Sequence, residues 1–276
     1  MRFRPPHRAA SAALLFVLMA LGAALAQAQS YPTRPVRLII PFPPGGSNDV
    51  VGRIVLQKVA EFTGQQFIVD NRAGAAGSIG ADLVAKAPPD GYTIMVHSTS
   101  HVGNAHLYKK LNYDTLKDFT GVALLAAQPG ALTIHPSLPV KMVKEFIALA
   151  KARPGTINYS SSGNGSAPHL SMALLVSMAG INLVHVPYKG GAQAGQDVAS
   201  GNAQMMFSAS LEAKPLLDAK RTQPIAISSL KRSPAFPDIP TVAEATGLKD
   251  FEAVFWQGMV VPAGTPSAGQ FSRFSG

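Results

Sequence analysis

The stretch "LIIPFPPGGSNDVVGRIV", residues 38–55, decides how the chain is to be read. An apolar run stops at Pro41, Pro43, Pro44, Gly45 and Gly46, and an amphipathic pattern starts at once. The run is continuously apolar rather than alternating, which is the pattern of a strand buried on both faces. Val50, Val51, Ile54, Val55, Val59 and Phe62 then stripe one helical face that Gly64 closes. Ser47 or Asn48 stands where a helix cap is expected. A helix entered this way offers the unpaired N–H groups of its first turn, and glycines let an anion approach them. Taken alone, the same residues are equally a tight strand-to-helix turn.

Outward from that stretch, one plan occurs twice. "VRLIIPF", the helix, "QQFIVDN", the loop "RAGAAGS", the helix "IGADLVAKA" and "YTIMVHS" read as βαβαβ. From Ile157, "TINYSS", the loop "SGNGSAP", the helix "HLSMALLVSMAG", "INLVHVPY", the loop "KGGAQAG", the short helix "QDVASG" and "NAQMMFS" repeat it. Apolar strands alternating with helices imply parallel sheets covered on both faces, with ligands outside the carboxyl ends of the strands. Two copies facing one another would enclose a cleft lined by glycine loops and helix N-termini. "VALLAAQPGALTIHP" leads from the first copy to the second, and "PIAISS" is expected to lead back. The proline-punctuated region from Pro234 and "FEAVFWQGMVVPAGTP" are expected on the first lobe.

Composition narrows the class. The 276 residues contain no cysteine, which excludes disulfides, thiol nucleophiles and thiolate metal sites. Arg2, Arg4 and Arg8 precede an uncharged run over residues 9–26 with small-residue cleavage patterns at "ALA" and "AQA", the layout of a secretory signal peptide. A membrane anchor is the alternative, although a spanning helix needs about 20 strongly apolar residues. The leader accounts for three of the formal +9 charges, leaving the remainder near +6. The remaining basic residues are scattered, without the aromatic-and-basic stripe of a nucleic-acid site. Hydrophobic content of 47% with 14% charged residues indicates a well-buried α/β core.

The anion expected in the cleft is a carboxylate rather than a phosphate. GxxxxGK[ST] is missing, and "GNGSAP" lacks the third glycine of a dinucleotide fingerprint. G-x-S-x-G is missing too, so Ser161, Ser162 or Ser166 beside His169 reads as helix capping before it reads as a nucleophile pair. His97, His101 and His106 in "HSTSHVGNAH" could converge at a strand end and the loop after it, but no HExxH, cysteine or nearby carboxylate completes a metal set. Neither a metal nor another cofactor is expected.

Several ordered motifs carry a family resemblance. "YPTRPVRLIIPFPPGGSND", "DNRAGAAGSIGADLVAKAPPDGYT", "YSSSGNGSAPHL", "HVPYKGG", "FPDIPTVAEATG" and "VFWQGMVVPAGTP" together resemble the Bug/TctC family, the periplasmic receptors of tripartite tricarboxylate transporters. The resemblance implies a two-lobed α/β periplasmic binding protein of type II with a hinge between the lobes, monomeric, closing on a small organic carboxylate and serving membrane transporter subunits. It implies ligand contacts from Phe42, Gly45, Gly46, Asn48 and Asp49, from Ser98, Thr99 and Ser100, and from Ser162, Gly163, Gly165, Ser166 and His169. Ser208 in "MMFSAS" stands where many relatives carry an aspartate, which implies a ligand without an amine, such as a di- or tricarboxylate or an aromatic acid. Relatives continue past "PAGTP" with further helices, whereas "SAGQFSRFSG" has no helical period, so the C-terminal helices are expected to be missing.

The expected organisation is a signal peptide over 1–28, a first lobe over 29–128 plus 230–276, and a second lobe over 129–229. A sensory component binding the same ligand, and a serine ester hydrolase using the same cleft, remain open as alternatives.

Overall fold

The computed structural model of the chain describes residues 31–266. The expected leader and the C-terminal ending lie outside the described residues.

The first copy of the plan forms β1 (Val36–Ile40), α1 (Ser47–Thr63), β2 (Phe67–Asn71), a 3-10 turn (Ala75–Gly77), α2 (Ser78–Ala85), β3 (Thr93–Ser98) and α3 (Thr99–Leu107). After β4 (Phe119–Ile134) and α4 (Val143–Ala152), the second copy forms β5 (Asn158–Ser161), α5 (Ala167–Ala179), β6 (Val184–Pro187), α6 (Gly191–Ala199), β7 (Met205–Ala209) and α7 (Ser210–Asp218). The chain then runs through β8 (Gln223–Ile227), α8 (Val242–Thr246) and β9 (Val254–Pro262). In each copy the first strand lies between the other two, all parallel, in the orders β2-β1-β3 and β7-β5-β6.

Three expectations are corrected in detail. The segment after "YTIMVHS" is the helix α3 rather than a loop. Helix α6 starts at Gly191 with Gly190 as its N-cap, so Gly191 and Gly195 lie within the helix instead of preceding it. The cap of α1 is Gly46, and neither Ser47 nor Asn48 supplies a side-chain cap.

Consecutive residues of β1 serve opposite faces, as the pleat requires. Leu38 and Ile40 pack with Val96 and Val261, while Ile39 packs with Met95 and Val260. The second lobe gathers Leu132, Phe146, Leu175 and Phe207 into one cluster.

Strand β4 joins the two lobes. Its first part, from Phe119 to Pro129, pairs antiparallel with β9, and from Gly130 onward it pairs antiparallel with β7 and, over Ala131–Ile134, with β8 as well. At the change of partner, the Gly130 N–H donates to Ser228 Oγ at 2.7 Å and the Ser228 N–H returns to the Gly130 carbonyl at 2.8 Å. Ser228 Oγ also donates to the Ala253 carbonyl. One buried hydroxyl therefore ties the outgoing strand, the end of β8 and the entry to β9.

That crossing shifts the expected boundary at residue 230. Val242, Phe251 and Phe255 belong to the second-lobe cluster, so the region through Phe255 packs there and the chain returns to the first lobe only along β9. Apolar residues on a short proline-bounded helix carry no mark of the lobe they cover, which is why pattern alone misplaced them.

Candidate functional site

The site lies where the carboxyl ends of β1 and β3 face the start of α6 and α7. It is lined by Phe42, Gly46, Ser47, Asn48, Ser98 and Ser100 from the first lobe, and by Ser162, Ala167, Pro168, Gly191 and Glu212 from the second. Phe255, Trp256 and Gln257 on β9 form its floor. The cavity at these residues is about 40 Å³, far below the roughly 300 Å³ at the lower end of small-molecule sites.

The first-lobe loop is braced from behind. Gly45 has φ +84°, a region that favours glycine, and its N–H donates to Asp49 Oδ2 at 3.0 Å. Asp49 also takes Arg53 Nε at 2.9 Å and Asn71 Nδ2 at 3.0 Å, while that Asn71 amide reaches the Phe42 carbonyl at 2.9 Å. Burial raises the pKa of Asp49, but Arg53, Asn71 and the Gly45 N–H outweigh it and hold the carboxyl below its ordinary value. Asp49 thus fixes the loop from outside the cavity. Asn48 does face it, and its Nδ2 lies 3.4 Å from Ser98 Oγ.

The N–H of Ser47, at the start of α1, donates across the cleft to Glu212 Oε1 at 2.5 Å. The carboxylate of Glu212 lies against Gly46 and Gly191; a Cβ on Gly191 would stand only 2.5–2.8 Å from its carboxyl atoms. Burial raises the pKa of Glu212, and hydrogen bonds from the Ser47 backbone, the Ser47 hydroxyl and the Ala209 backbone oppose the rise. Below this contact Gln257 Nε2 donates to Ser47 Oγ at 3.3 Å, and Gln257 Oε1 has no partner among the described residues.

The second-lobe loop spends its polar groups on itself. The Gly163 N–H donates to Ser161 Oγ at 3.1 Å, the Gly165 N–H to His169 Nδ1 at 3.0 Å, and the His169 N–H to Ser166 Oγ at 3.4 Å. His169 stacks on His185 at 4.2 Å between ring centroids, and His185 Nε2 sits 2.7 Å from Ser161 Oγ. Burial lowers the pKa of His169, and that of His185 falls to about 4 through burial and then His169.

Of the residues expected at the site, the structure brings Phe42, Gly46, Asn48, Ser98, Ser100 and Ser162 to the cavity. Gly45 lies outside the lining and faces Ala192 of the second lobe, while Asp49, Gly163, Gly165, Ser166 and His169 serve as loop and helix supports. Thr99 faces a separate depression against α5. Ser208 is buried in the sheet with its Oγ 3.4 Å from Thr133 Oγ1, so it does not line the cavity. The inference of an amine-free ligand drawn from Ser208 therefore loses its footing, because the cleft acid on this side is Glu212.

The histidine group does not converge either. His97 on β3 and His101 on α3 stack edge-to-face at 5.3 Å, whereas His106 is exposed. Burial lowers both inner imidazoles to about 4, with His97 adding to the effect at His101. His97 supports Trp256 from below at 5.1 Å, a packing role. Among the described residues no group of three histidine, cysteine or acidic side chains is arranged to hold a metal ion.

Sequence reasoning missed Ser47, Gly191, Glu212 and the β9 floor. The repeat carried a signal for Glu212. It follows the third strand of its copy, as Ser100 does in the first. The β9 residues carried none, since their place depends on a strand inserted from far along the chain.

Two α/β lobes sharing a strand, with a helix N-terminus and hydroxyls facing the cleft, define the class of periplasmic binding proteins. The chain belongs to the tripartite tricarboxylate transporter family receptors, whose family model matches residues 51–269. It is 40% identical over 237 residues to a UPF0065 protein in the tcbD-tcbE intergenic region of Pseudomonas sp. (strain P51), covering 86% of this chain and 70% of the relative. It is 36% identical to protein BugT of Bordetella pertussis, covering 91% and 77%. Among solved structures it resembles R. palustris Rpa4515 with adipate (38% identity, TM-score 0.84) and MatC (Rpa3494) from Rhodopseudomonas palustris with bound malate (34%, 0.81). Each structural comparison covers 86% of this chain and 80% of the other. The family consists of solute-binding receptors, and among the described residues no helix is long and apolar enough to cross a membrane.

Proposed function

We propose that this chain is an exported, periplasmic, non-enzymatic receptor that captures a small organic carboxylate between its lobes and delivers it to the membrane subunits of a tripartite tricarboxylate-type transporter. The observation that carries the reading is the Ser47 N–H at the start of α1, which faces the cleft and holds a carboxylate, that of Glu212. A helix N-terminus favours a carboxylate by about 0.3–1 kcal/mol when exposed, and up to about 2 when partly buried. Ser98, Ser100, Ser162, Asn48 and Gln257 add neutral hydrogen-bonding groups, and Phe42, Phe255 and Trp256 supply apolar walls. Such a site suits a short acid with a polar end and an apolar middle. The adipate and malate of the two structural relatives support that class. In this reading the lobes part and close at the Gly130–Ser228–Ala253 crossing.

The test is a thermal melt of the chain without residues 1–28, repeated with di-, tri- and aromatic carboxylates. At about 100 times Kd, a ligand binding only the folded state adds about 2.7 kcal/mol, a shift of several degrees. One acid class raising the transition supports the reading. A cooperative melt that no carboxylate moves overturns it.

A further inference from the structure

Glu212 joins two parts of the protein that ligand capture must separate. Its side chain comes from α7 in the second lobe, and its partner Ser47 opens α1 in the first, 165 residues away. Around the carboxylate, Gly46 and Gly191 leave room that any larger residue would fill. Little else fits: the remaining 40 Å³ holds water molecules rather than an organic acid, since one water needs about 10–15 Å³. The Ser47 N–H and a ligand carboxylate therefore cannot meet while Glu212 is in place.

We infer that Glu212 is an internal occupant of the carboxylate seat: it latches the lobes in the ligand-free protein, and an incoming carboxylate must displace it. Affinity is then set by the difference between two carboxylates competing for one helix N-terminus. The residue so acts as a specificity determinant, since it screens out acids whose carboxylate cannot reach the Ser47 N–H. It also supplies a closed ligand-free state that opens when the side chain leaves.

The inference rests on the carboxylate-receptor reading, and two measurements separate them. Calorimetric titration with adipate and with malate compares wild type with Glu212→Ala. An alanine side chain cannot reach the Ser47 N–H, so the seat is left free and at least one acid should bind about tenfold more tightly. Unchanged or weaker binding by the variant overturns the inference while leaving the receptor reading intact. Small-angle scattering without ligand compares wild type with Glu212→Ala, which removes the latch. The expected result is a larger radius of gyration for the variant, and equal radii overturn the inference. If neither acid binds either protein, the receptor reading loses its support, and the scattering comparison still decides the latch.

Discussion

Two loops written in the same style behave oppositely. Residues 41–48 and 161–168 both carry glycine and serine between a strand and a helix, and both end on the first turn of that helix. In the first, bracing groups lie behind the loop, and the Ser47 N–H faces the other lobe. In the second, the N–H groups of Gly163, Gly165 and His169 are taken by Ser161, His169 and Ser166. A glycine-rich helix entry is therefore a seat only when its donors are left facing a cleft. The second loop reaches the cavity through Ser162 and the first residues of α5, and the second lobe adds its acid and its α6 start.

Breaking the first loop should have the largest effect. A Gly46→Val side chain would begin 3.3 Å from Glu212 Oε1 and fill the seat. Calorimetry should show carboxylate affinity falling about 100-fold, or 2.7 kcal/mol. Undiminished binding would show that the seat lies elsewhere.

Removing the brace comes next. Asp49→Asn keeps the shape but weakens the bonds to Arg53 and the Gly45 N–H, at a cost of about 2 kcal/mol in urea denaturation. The pH dependence has a defined sign. The folded-state pKa of Asp49 is lowered, so its contribution is present above the unfolded value and is lost as pH falls through the folded value. The gap between wild type and Asp49→Asn should therefore close below about pH 4, the unfolded carboxyl range. A gap that stays constant to lower pH would refute the assignment.

The smallest effect sharpens the contrast. Ser166→Ala should lose a helix cap worth about 1 kcal/mol while leaving carboxylate affinity nearly unchanged. A large loss of affinity with little loss of stability would mean that Ser166 itself touches the ligand.

Much of the frame was legible in the sequence because it rests on local periodicity. Continuous apolar strands, helical stripes and the αL glycines closing α1 and α5 placed both βαβαβ units. The helix entry at residues 41–48 was legible in the same pattern, whereas Ser98 and Ser100 were named from the family resemblance. The rest depends on contacts between distant segments. Ser166 and Ser47 look alike as isolated serines, and only their surroundings make one a cap and the other a donor into the cleft. Glu212 meets Ser47 across 165 residues, and Trp256 and Gln257 reach the site only because β9 enters the first-lobe sheet.

That insertion bears on the order in which the molecule can be built. β9 lies between β3 and β4, pairing Met95 with Val260 and Thr120 with Val261. The partners of β5, β6, β7 and β8 have all emerged by Ile227, so the sheet of the second lobe can close while β9 is still to come. β3 and the first part of β4 must wait for the last described strand. In a chain that emerges from its N-terminus, the half that appears first is completed last.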